Sequence, residues 1–389
     1  MRPIVYVLNE YPVLSQTFVT NEVMTLRASG REVVVVAARR GDTDASGHVI
    51  PDIVMSSLRP LAVARSHLRA IHATRARYLS YLRWVGRSGL LGFPWVLAAP
   101  YVAERLRFDP TVHVHTHFAS RGSVVAEGVR RLLGGTRSVT THAADIYGNP
   151  RLDLQLENAI LVTVTKFNAQ YLARRGFEGA QVVHCGVVVK REPTPAQEII
   201  RQGPVRMLSV GRLVPKKGHD VLLRALATLA REGLDFECEI IGDGPERHVL
   251  EEMVAELDLR EMVCMRGSLP HDEVLRRIDR AQIFLLACRV SPDGDADGLP
   301  VVLLEAGARA VPIIASSVTG VGEFIDDETG WLVPSGNPEA IANAVREVIR
   351  APEIARERAR MAQKRVVDEF SLCAQAQGLA SVIDRIPVA

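Results

Sequence analysis

Short apolar runs alternate with longer stretches of helical periodicity along the whole chain. Polar or glycine-containing loops bound each run, which is the pattern of buried strands in a parallel α/β sheet. In the first half the predicted strands are Ile4–Leu8, Glu32–Ala37, Val112–His115, Ser138–Thr141, Leu161–Val164 and the short Val182–Cys185. The predicted helices there are Arg121–Leu133 and Lys166–Arg175.

A second series of apolar runs and helical stretches begins after a change in amino-acid composition. Residues 186–204 are rich in charged residues, proline and glutamine, which indicates a linker. The predicted strands beyond it are Met207–Val210, Phe236–Ile241, Val263–Arg266, Ile283–Ala287, Ile313–Ala315 and Gly330–Val333. The predicted helices are Gly218–Glu232, Glu246–Leu257, one beginning near Pro300, Pro338–Ile349 and Pro352–Glu369. Two such series predict two doubly wound units, each with a crevice at the carboxyl ends of its strands.

Composition narrows the class of protein without naming a reaction. The chain has 389 residues, of which 47% are hydrophobic and 24% charged, as in ordinary globular proteins. A formal net charge of +2 is too balanced to indicate nucleic acid as the main partner. Five scattered cysteines and an N-terminus without signal-peptide layout predict a cytoplasmic protein with reduced thiols. No apolar run approaches the roughly 20 residues that span a bilayer.

The segment with the clearest chemistry follows the predicted strand Ile283–Ala287. A loop rich in glycine and aspartate leads into an apolar helix, where Pro300 suits the first turn. The free N–H groups of a helix start bind anions, and Gly298 allows a phosphate or sugar close to the backbone. Asp297 precedes this turn and Glu305 lies about two turns beyond it, so both carboxylates are candidates for sugar hydroxyls. The alternative role for Asp297 is to cap the helix.

Two other turns contribute candidate residues. Arg212 and Lys217 lie between a predicted strand and the next helix, where a guanidinium and an ammonium can neutralise a diphosphate. By itself this segment can also be a solvated basic loop. Gly242 and Gly244 form a strand-to-helix glycine turn of a kind that many α/β proteins have.

Taken in order, the motifs G-R-L-V-P-K-K-G, I-G-D-G-P and D-G-L-P-V-V-L-L-E-A closely resemble the C-terminal half of family 4 glycosyltransferases, which are retaining enzymes. The resemblance covers about residues 207–334. It implies an α/β protein of the GT-B type, with two Rossmann-like domains that face each other across a cleft. Residues 1–190 are then expected to form the acceptor-binding domain, with 371–389 packing back on it. Residues 191–370 are expected to bind the nucleotide-sugar donor.

The same resemblance assigns donor roles to individual residues. It implies that Arg212 and Lys217 bind the diphosphate and that Glu305 contacts the ribose. Asp297 is expected to face the donor sugar, although the family usually has the longer glutamate at this position. The backbone at Gly267 is expected to meet the base. The complete expected donor-binding set is Gly211, Arg212, Lys217, Gly242, Gly244, Gly267, Asp297, Gly298, Leu299, Pro300, Val301 and Glu305.

Three motifs of the first half also follow predicted strands. They resemble the S-E-T-F, H-A-H-F-A and H-A-x-D-I-Y motifs of a family 4 subgroup that acts in exopolysaccharide assembly, of the colanic-acid type. In this chain Gln16 replaces the usual glutamate, and Thr116 replaces the usual alanine. The residues expected on the acceptor side are Asn9, Ser15, Gln16, Thr17, His115 and His117.

His142 resembles the family histidine near the donor sugar. A retaining transfer of this kind needs no enzyme nucleophile, so His142 and Asp145 are expected to act by position and electrostatics. Together with Arg212, Lys217 and Asp297 they form the expected catalytic set. The alternative for His142 is a hydrogen-bonded structural histidine. The histidines could suggest zinc, but no matching acidic or cysteine cluster is visible in the sequence, and no metal is expected.

A basic stretch in the first half carries a separate signal. No acidic residue lies between Asp52 and Glu104, whereas arginines and aromatic residues are frequent there. This mixture is typical of a peripheral helix at an anionic membrane, or of a cleft for a diphosphate-linked acceptor. A solvated helix face is the alternative. The arginines are Arg59, Arg65, Arg69, Arg75, Arg77, Arg83 and Arg87.

The sequence thus predicts a retaining, metal-independent hexosyltransferase without a cofactor. Its expected partners are a UDP- or GDP-sugar and a glycan or polyprenyl-diphosphate-linked acceptor, in exopolysaccharide or other glycoconjugate biosynthesis. A small-molecule natural product is the alternative acceptor. A sugar-nucleotide epimerase of the same fold and a non-catalytic sugar-nucleotide-binding protein are the alternative functions. The expected location is cytoplasmic, with peripheral binding to the inner face of the membrane, and no nucleic acid partner is expected.

Overall fold

The chain divides into two compact units, each with its own parallel sheet. The computed structural model describes residues 1–13, 16–41, 50–90, 94–189 and 203–387. The first unit comprises Met1–Val164, Asn168–His184 and Gln375–Ala389, and the second comprises Thr165–Phe167 and Cys185–Ala374. Most of the predicted linker 186–204 lies outside the described residues.

The first unit contains a seven-stranded sheet in the order β3-β2-β1-β4-β5-β6-β7. Its strands are β1 (Ile4–Tyr11), β2 (Val33–Arg40), β3 (Ile53–Val54), β4 (His113–His117), β5 (Arg137–Thr141), β6 (Ile160–Thr163) and β7 (Gln181–Val182). Its helices are α1 (Thr17–Ala28), α2 (Pro60–Arg87), α3 (Pro94–Leu97), α4 (Ala99–Arg105), α5 (Arg121–Leu133), α6 (Ala143–Ile146), α7 (Leu152–Leu156) and α8 (Lys166–Arg174). The strand order reverses between β1 and β4, which is a topological switch point of the Rossmann type.

The central strand β1 shows why a continuous apolar run forms a buried strand. Successive side chains of a strand point to opposite faces of the sheet. Val5 and Val7 therefore pack with the residues of α2 and α5, whereas Ile4 and Tyr6 pack in the cluster that contains residues of α1. Because other elements cover both faces of the sheet, every residue from Ile4 to Leu8 is buried. Polar residues therefore do not alternate with apolar residues along this part of the strand.

The second unit contains a six-stranded sheet in the order β10-β9-β8-β11-β12-β13. Its strands are β8 (Val205–Val210), β9 (Phe236–Ile241), β10 (Val263–Gly267), β11 (Ile283–Leu286), β12 (Ile313–Ser317) and β13 (Trp331–Pro334). Its helices are α9 (His219–Arg231), α10 (Arg247–Glu256), α11 (His271–Arg280), α12 (Val301–Gly307), α13 (Pro338–Arg350) and α14 (Pro352–Glu369). The order reverses at β8, which pairs in parallel with both β9 and β11.

The final helix, α15 (Leu372–Asp384), returns to the first unit. Its buried residues Ala376, Leu379 and Ile383 are spaced at one helical face and join the core cluster of β1 and α1. Arg31 holds the end of this helix through a bidentate contact with Asp384, at 2.9 and 2.5 Å. The chain therefore begins and ends in the same core.

The predicted elements agree closely with the observed ones, but several helices were not predicted, among them α1, α11 and α15. The segment around Gln16 was predicted only to follow the first strand, and in the structure a helix begins at Thr17. Val19, Val23 and Leu26 are its buried residues, and their spacing is that of one helical face. Thr17 and Phe18 of the motif that resembles S-E-T-F therefore lie in this helix, which also contains Glu22.

The first core also contains a buried charged cluster. Glu127 of α5 has a fully buried side chain and contacts the guanidinium groups of Arg130, Arg131 and Arg137 at 2.7, 2.8 and 3.4 Å. Burial lowers the pKa of Arg137 to about 10, while Glu127 opposes that shift. Arg137 lies in β5, so this carboxylate joins the helix to the sheet.

The Glu127→Gln variant is expected to lower the free energy of unfolding of the first unit by about 3–5 kcal/mol, because it leaves the buried Arg137 without its counter-charge. Urea unfolding followed by hydrogen exchange in β5 peptides measures the change. The control is Glu178→Gln at an exposed position of the same unit, which should change stability by less than about 0.5 kcal/mol. An equally small effect at Glu127 would show that the cluster does not depend on this charge.

Candidate functional site

Three glycines of the predicted donor set lie at the carboxyl ends of neighbouring strands in the second unit. Gly211 follows β8 and donates its N–H to Ile241 of β9 at 2.9 Å, and Gly242 donates to the carbonyl of Gly267 at 2.9 Å. Gly242 has a φ of +141°, and a Cβ placed on it would lie 1.9 Å from the carbonyl oxygen of Gly211. Gly242 is therefore required by a contact between backbones, whether or not a ligand approaches it.

Lys217 lies at the same edge and is held by Asp297. It ends a 3-10 turn, Pro215–Lys217, and the next residue, Gly218, has a φ of +63° with no space for a Cβ against the carbonyl of Ala287. This turn directs Lys217 towards the loop that follows β11. The Lys217 Nζ lies 2.6 Å from Asp297 Oδ2, and both side chains are largely buried.

A second lysine reinforces this contact. The buried Lys216 Nζ lies 2.9 Å from Asp295 Oδ2 and 3.4 Å from Asp297 Oδ1. Burial alone would raise the pKa of Asp297, but the two ammonium groups outweigh it and hold that pKa below its usual value. Burial alone would lower the pKa of Lys217, but the neighbouring Asp297 carboxylate outweighs burial and raises that pKa. The cluster is therefore ionised, with two cations around one shared carboxylate.

The remaining predicted donor residues are distributed around this pair. The side chain of Arg212 is exposed. The loop before α12 is held in place by two hydrogen bonds to the Gly298 carbonyl, one from Gly320 N at 3.1 Å and one from Thr319 Oγ1 at 2.8 Å. Gly244 is close-packed, since a Cβ on it would lie 2.4 Å from the Leu213 carbonyl oxygen. The next three residues of the loop, Leu299, Pro300 and Val301, are buried or half-buried.

Glu305 lies in α12, but its spacing from Asp297 differs from the predicted two helical turns. The helix begins only at Val301, so Glu305 lies just over one turn inside it. Its Oε1 lies 2.8 Å from Nε2 of His271, and this hydrogen bond raises the pKa of His271. Sequence reasoning did not identify His271, which begins the unpredicted helix α11 and carries no motif of its own.

The predicted residues of the first unit meet around the end of β4. His117 Nδ1 lies 3.1 Å from His142 Nε2, and His117 Nε2 lies 2.9 Å from Glu22 Oε1. Tyr6 donates its hydroxyl to the same Glu22 oxygen at 2.7 Å. The side chain of His142 is also stacked on Phe118, with 4.3 Å between ring centroids.

His115 lies deeper in the sheet than His117. It is fully buried, and its Nδ1 and Nε2 lie 2.7 Å from Ser138 Oγ and 3.3 Å from Thr140 Oγ1. Burial holds the pKa of His115 well below its usual value, and it does the same for His142. Both rings are therefore neutral, and His115 can influence an acceptor only through its neighbours.

Asp145 fixes the backbone on which His142 lies. Its two carboxyl oxygens accept hydrogen bonds from the N–H groups of His142 at 2.6 Å and Ala119 at 2.5 Å. Burial raises the pKa of Asp145 to about 7, although the backbone donors oppose this shift. Asp145 thus joins the loop after β5 to the loop after β4.

The other predicted acceptor-side residues lie near this cluster in the chain. Asn9 belongs to β1 and donates to Ser120 Oγ at 3.0 Å, at the start of α5. Gln16 and Thr17 lie at the beginning of α1, which positions Glu22. Ser15 falls outside the described residues.

One expectation needs correction, because an acidic residue does accompany the histidines. Glu22, His115 and His117 each offer a ligand atom, and these atoms lie within 4.8 Å of one another. The acidic residue that the sequence offered is Glu22, the last residue of the first motif. Only the folding of helix α1 brings Glu22 close to the histidines of β4. Neutral imidazoles and a carboxylate are suitable zinc ligands, although Glu22 already has two hydrogen-bond donors.

Comparison with known protein families distinguishes between the functional hypotheses for the second unit. Residues 190–365 match the model of the family described as glycosyl transferases group 1. The chain carries a group 1 glycosyltransferase domain. The recognised family and the glycosyltransferase assignment are thereby confirmed, and neither alternative function is favoured.

Whole-chain relatives of this glycosyltransferase are similar in sequence. One is the amylovoran biosynthesis glycosyltransferase AmsK of Erwinia amylovora, 27% identical over 97% of this chain and 98% of the relative. Another is the putative colanic acid biosynthesis glycosyltransferase WcaL of Escherichia coli K12, 29% identical over 87% of this chain and 88% of the relative.

A solved structure supports the fold of the glycosyltransferase. HepE of Anabaena, determined in complex with UDP, has a TM-score of 0.72 and 16% sequence identity, with 99% of this chain and 100% of that chain covered. At this identity the likeness concerns architecture alone. The predicted GT-B type with two Rossmann-like domains is confirmed.

The buried histidines of this glycosyltransferase predict a sensitivity to acid. His115 and His142 are neutral in the folded protein, and burial lowers the pKa of His113 to about 3. In the unfolded chain they bind protons near pH 6.5, so stability is retained above that pH and lost as pH falls towards the lowered folded values. Each histidine is expected to cost about 1.4 kcal/mol between pH 7.5 and 5.5.

Urea unfolding of the first unit at these two pH values measures the loss. The His115→Gln variant should shrink the difference between the two pH values by about 1.4 kcal/mol, whatever its effect on stability at pH 7.5. His72→Gln, at an exposed position of α2, is the control and should leave the difference as in the original protein. A difference unaffected by His115→Gln would mean that this ring is protonated in the folded state.

Proposed function

We propose that the chain is a retaining hexosyltransferase that transfers a hexosyl unit from a UDP- or GDP-sugar to a glycan or lipid-linked acceptor. The observation that carries this proposal is the ionised cluster of Lys217 and Asp297 at the carboxyl end of β8. That edge, where the strand order reverses, is where open α/β sheets bind ligands. A diphosphate entering there would meet Lys217 and the exposed Arg212, with Asp297 beside them.

The charges suit a transfer that uses neither a metal nor an enzyme nucleophile. As the bond between the anomeric carbon and the diphosphate oxygen breaks, negative charge grows on the leaving phosphate, and Lys217 and Arg212 are cations available to stabilise it. The new bond forms from the acceptor hydroxyl to the same face of the sugar. The hydroxyl proton passes to the departing phosphate. Asp297 keeps Lys217 charged and oriented before the donor arrives.

The first unit is proposed to hold the acceptor. His142 is buried with a neutral ring, and Asp145 binds the backbone at both His142 and Ala119. These contacts give His142 a defined position, which suits a residue that acts by hydrogen bonding to a sugar. The relatives AmsK and WcaL are named for amylovoran and colanic acid biosynthesis, which supports an exopolysaccharide or related glycoconjugate as product.

Nucleotide binding tests the donor site. Among UDP, GDP, ADP and dTDP, UDP or GDP is expected to raise the thermal unfolding midpoint without added metal, because a ligand of the folded state stabilises it. HepE was determined with UDP, which favours UDP as the first candidate. Arg212→Ala and Lys217→Ala are each expected to weaken binding about tenfold to hundredfold, as the loss of a charge-assisted hydrogen bond does.

The thermal unfolding midpoint of each variant with nucleotide is compared with the midpoint of the same variant without nucleotide. A loss of stability from breaking the Lys217–Asp297 contact is then not mistaken for a loss of nucleotide binding. Arg224→Ala, at an exposed position of α9, is the control and should bind as the original protein does. Binding without transfer to any acceptor would support a non-catalytic sugar-nucleotide-binding protein. Absence of any nucleotide-dependent shift in folded protein would contradict the donor site.

Helix α2 supports a second part of the proposal, peripheral binding to an anionic membrane. Among the described residues, no helix is long and apolar enough to cross a bilayer. The exposed side of α2 nevertheless carries Leu61, Leu68 and Ile71 before a non-helical break at Thr74, and more apolar residues follow it. The exposed apolar side chains of α2 are Leu61, Leu68, Ile71, Leu79 and Leu82.

Arginines border this apolar face. Arg65 and Arg69 lie on one exposed side of the first half of α2, and Arg83 and Arg87 occupy the equivalent side of the second half. Ala70, Tyr81 and Trp84 face the core instead. An apolar stripe beside a row of cations, on a helix without acidic residues, is typical of binding to anionic lipid headgroups.

An apolar hollow of about 680 Å³ adjoins the first half of the same helix. Its lining includes Met55, Leu58, Val63, Trp95 and Leu97. A hollow with this lining beside a lipid-facing helix supports a polyprenyl-linked acceptor over a small polar one.

Liposome sedimentation tests the membrane proposal. Vesicles with anionic lipid are expected to sediment the protein at low salt, and neutral vesicles to leave it in the supernatant. Replacing Arg65, Arg83 and Arg87 together with Gln should weaken binding roughly a hundredfold, at about 1 kcal/mol per arginine. Ile354→Gln removes an equally exposed apolar residue from α14 and should bind normally. Equal recovery in the supernatant with both kinds of vesicle would refute membrane binding.

A further inference from the structure

Lys216 is a buried cation beside the proposed donor site, and the proposed transfer gives it no role. Its side chain is 4% exposed, compared with 12% for that of Lys217. Its Nζ lies 3.0 and 2.9 Å from the two carboxyl oxygens of Asp295, and 3.4 Å from Asp297 Oδ1. Replacing a buried ion pair by apolar residues is often neutral for stability, so stability alone does not explain a lysine at this position.

The two carboxyl oxygens of Asp297 contact different lysines. Oδ2 lies 2.6 Å from Lys217 Nζ, whereas Oδ1 lies 3.4 Å from Lys216 Nζ. Cys288 offers a further donor, because burial raises the pKa of its thiol to about 12 and its Sγ lies 3.7 Å from Oδ2. Asp297 therefore keeps a partner at each oxygen if Lys217 turns towards an arriving anion.

The backbone around Lys216 is fixed to the loop that follows β11. Arg289 N donates to the Lys216 carbonyl at 2.9 Å, and Arg289 Nε donates to the Pro215 carbonyl at 2.9 Å. Asp220 holds the same guanidinium through a contact of 3.0 Å. The turn that carries both lysines is thereby joined to the loop that leads to both aspartates, and Lys216 stays beside Asp297.

The charges of the two lysines and the two aspartates balance. Without Lys216, a single ammonium would face two carboxylates. An arriving diphosphate would then meet an excess of negative charge, and it would compete with Asp297 for Lys217. Opposite charges at contact distance attract strongly where water is scarce, so this competition would weaken diphosphate binding.

We propose that Lys216 is a positioning residue that serves as the counter-ion of Asp297 while Lys217 binds the donor diphosphate. The proposal rests on the proposed function, in which Lys217 contacts that diphosphate. Before the donor arrives, Asp297 is shared between the two lysines. Once Lys217 donates to phosphate oxygens, Lys216 keeps the Asp297 carboxylate compensated. None of these steps requires Lys216 to touch the donor.

A double-mutant cycle on nucleotide binding tests this role in the full chain. Calorimetry measures the Kd of UDP, or of GDP if GDP alone binds, at about 0.15 M salt, where distant charges are screened. Lys216→Met removes the ammonium and keeps an unbranched side chain. It is expected to weaken binding about tenfold in the original protein and at most about threefold in Asp297→Asn, which has no carboxylate to compete for Lys217.

The comparison between the two backgrounds separates positioning from other roles. A lysine that touched the diphosphate, or one that only supported the fold of the site, would cause the same loss with and without the Asp297 charge. Equal losses in the two backgrounds would therefore overturn the proposal. Lys364→Met, at a position of α14 whose side chain is 64% exposed, is the matched control and should bind UDP as the original protein does.

Asp295→Asn tests the same coupling if Lys216→Met does not fold. Asp295 is the closer carboxylate partner of Lys216, and its side chain is 40% exposed. Removing its charge leaves the Lys216 ammonium to Asp297, which frees Lys217, so UDP is expected to bind about threefold tighter. This gain should disappear in Asp297→Asn. An equal gain in both backgrounds would overturn the proposal.

Sugar transfer distinguishes failure of this proposal from failure of the proposed function. If UDP binds with the expected coupling but no sugar reaches any acceptor, the role of Lys216 is supported and the proposed function fails. If sugar is transferred but the losses in the two backgrounds are equal, the proposed function stands and the role of Lys216 fails. Absence of nucleotide binding to the folded protein would contradict both.

Discussion

Parallel strand pairing is the constraint on which both candidate sites depend. Because every strand of a parallel sheet runs in one direction, all carboxyl ends meet at one edge, and short polar loops distant in sequence become neighbours there. In the second unit this places Lys217, which follows β8, against Asp297, which follows β11. In the first unit it places His117 at the end of β4 against His142 beyond β5.

The ionisable groups at the carboxyl edges of the two sheets differ in their charge states. In the second unit Lys216 and Lys217 both contact Asp297, and Lys216 also contacts Asp295, so the cluster stays ionised with its charges balanced. In the first unit burial keeps the rings of His115 and His142 neutral, and the Glu22 carboxylate is the ionised group. In the proposed transfer, the cations of the second unit would stabilise a departing diphosphate, and the neutral histidines of the first unit would order hydroxyl groups.

Much of the fold was predictable, and the exceptions have physical reasons. The strand Phe236–Ile241 and the helices Arg121–Leu133 and Pro352–Glu369 have the predicted bounds, because alternating burial marks the strand and helical periodicity marks the helices. Helix α1 was not predicted because its first residues belong to a motif that was placed only by its position after the first strand. Helix α11 was missed because its charged residues outnumber the two that it buries, Val274 and Ile278.

The sequence by itself determined the family and the residue types of the donor motifs, because these motifs are local and their order is specific. It did not determine which charges pair, since Lys217 and Asp297 are distant in the chain and meet only across the β8–β11 edge. It also did not show that two donor-set glycines, Gly242 and Gly244, serve close backbone contacts, or that Glu22 reaches His117. Those facts depend on side-chain direction and strand register, which only the packing of helices on the sheet decides.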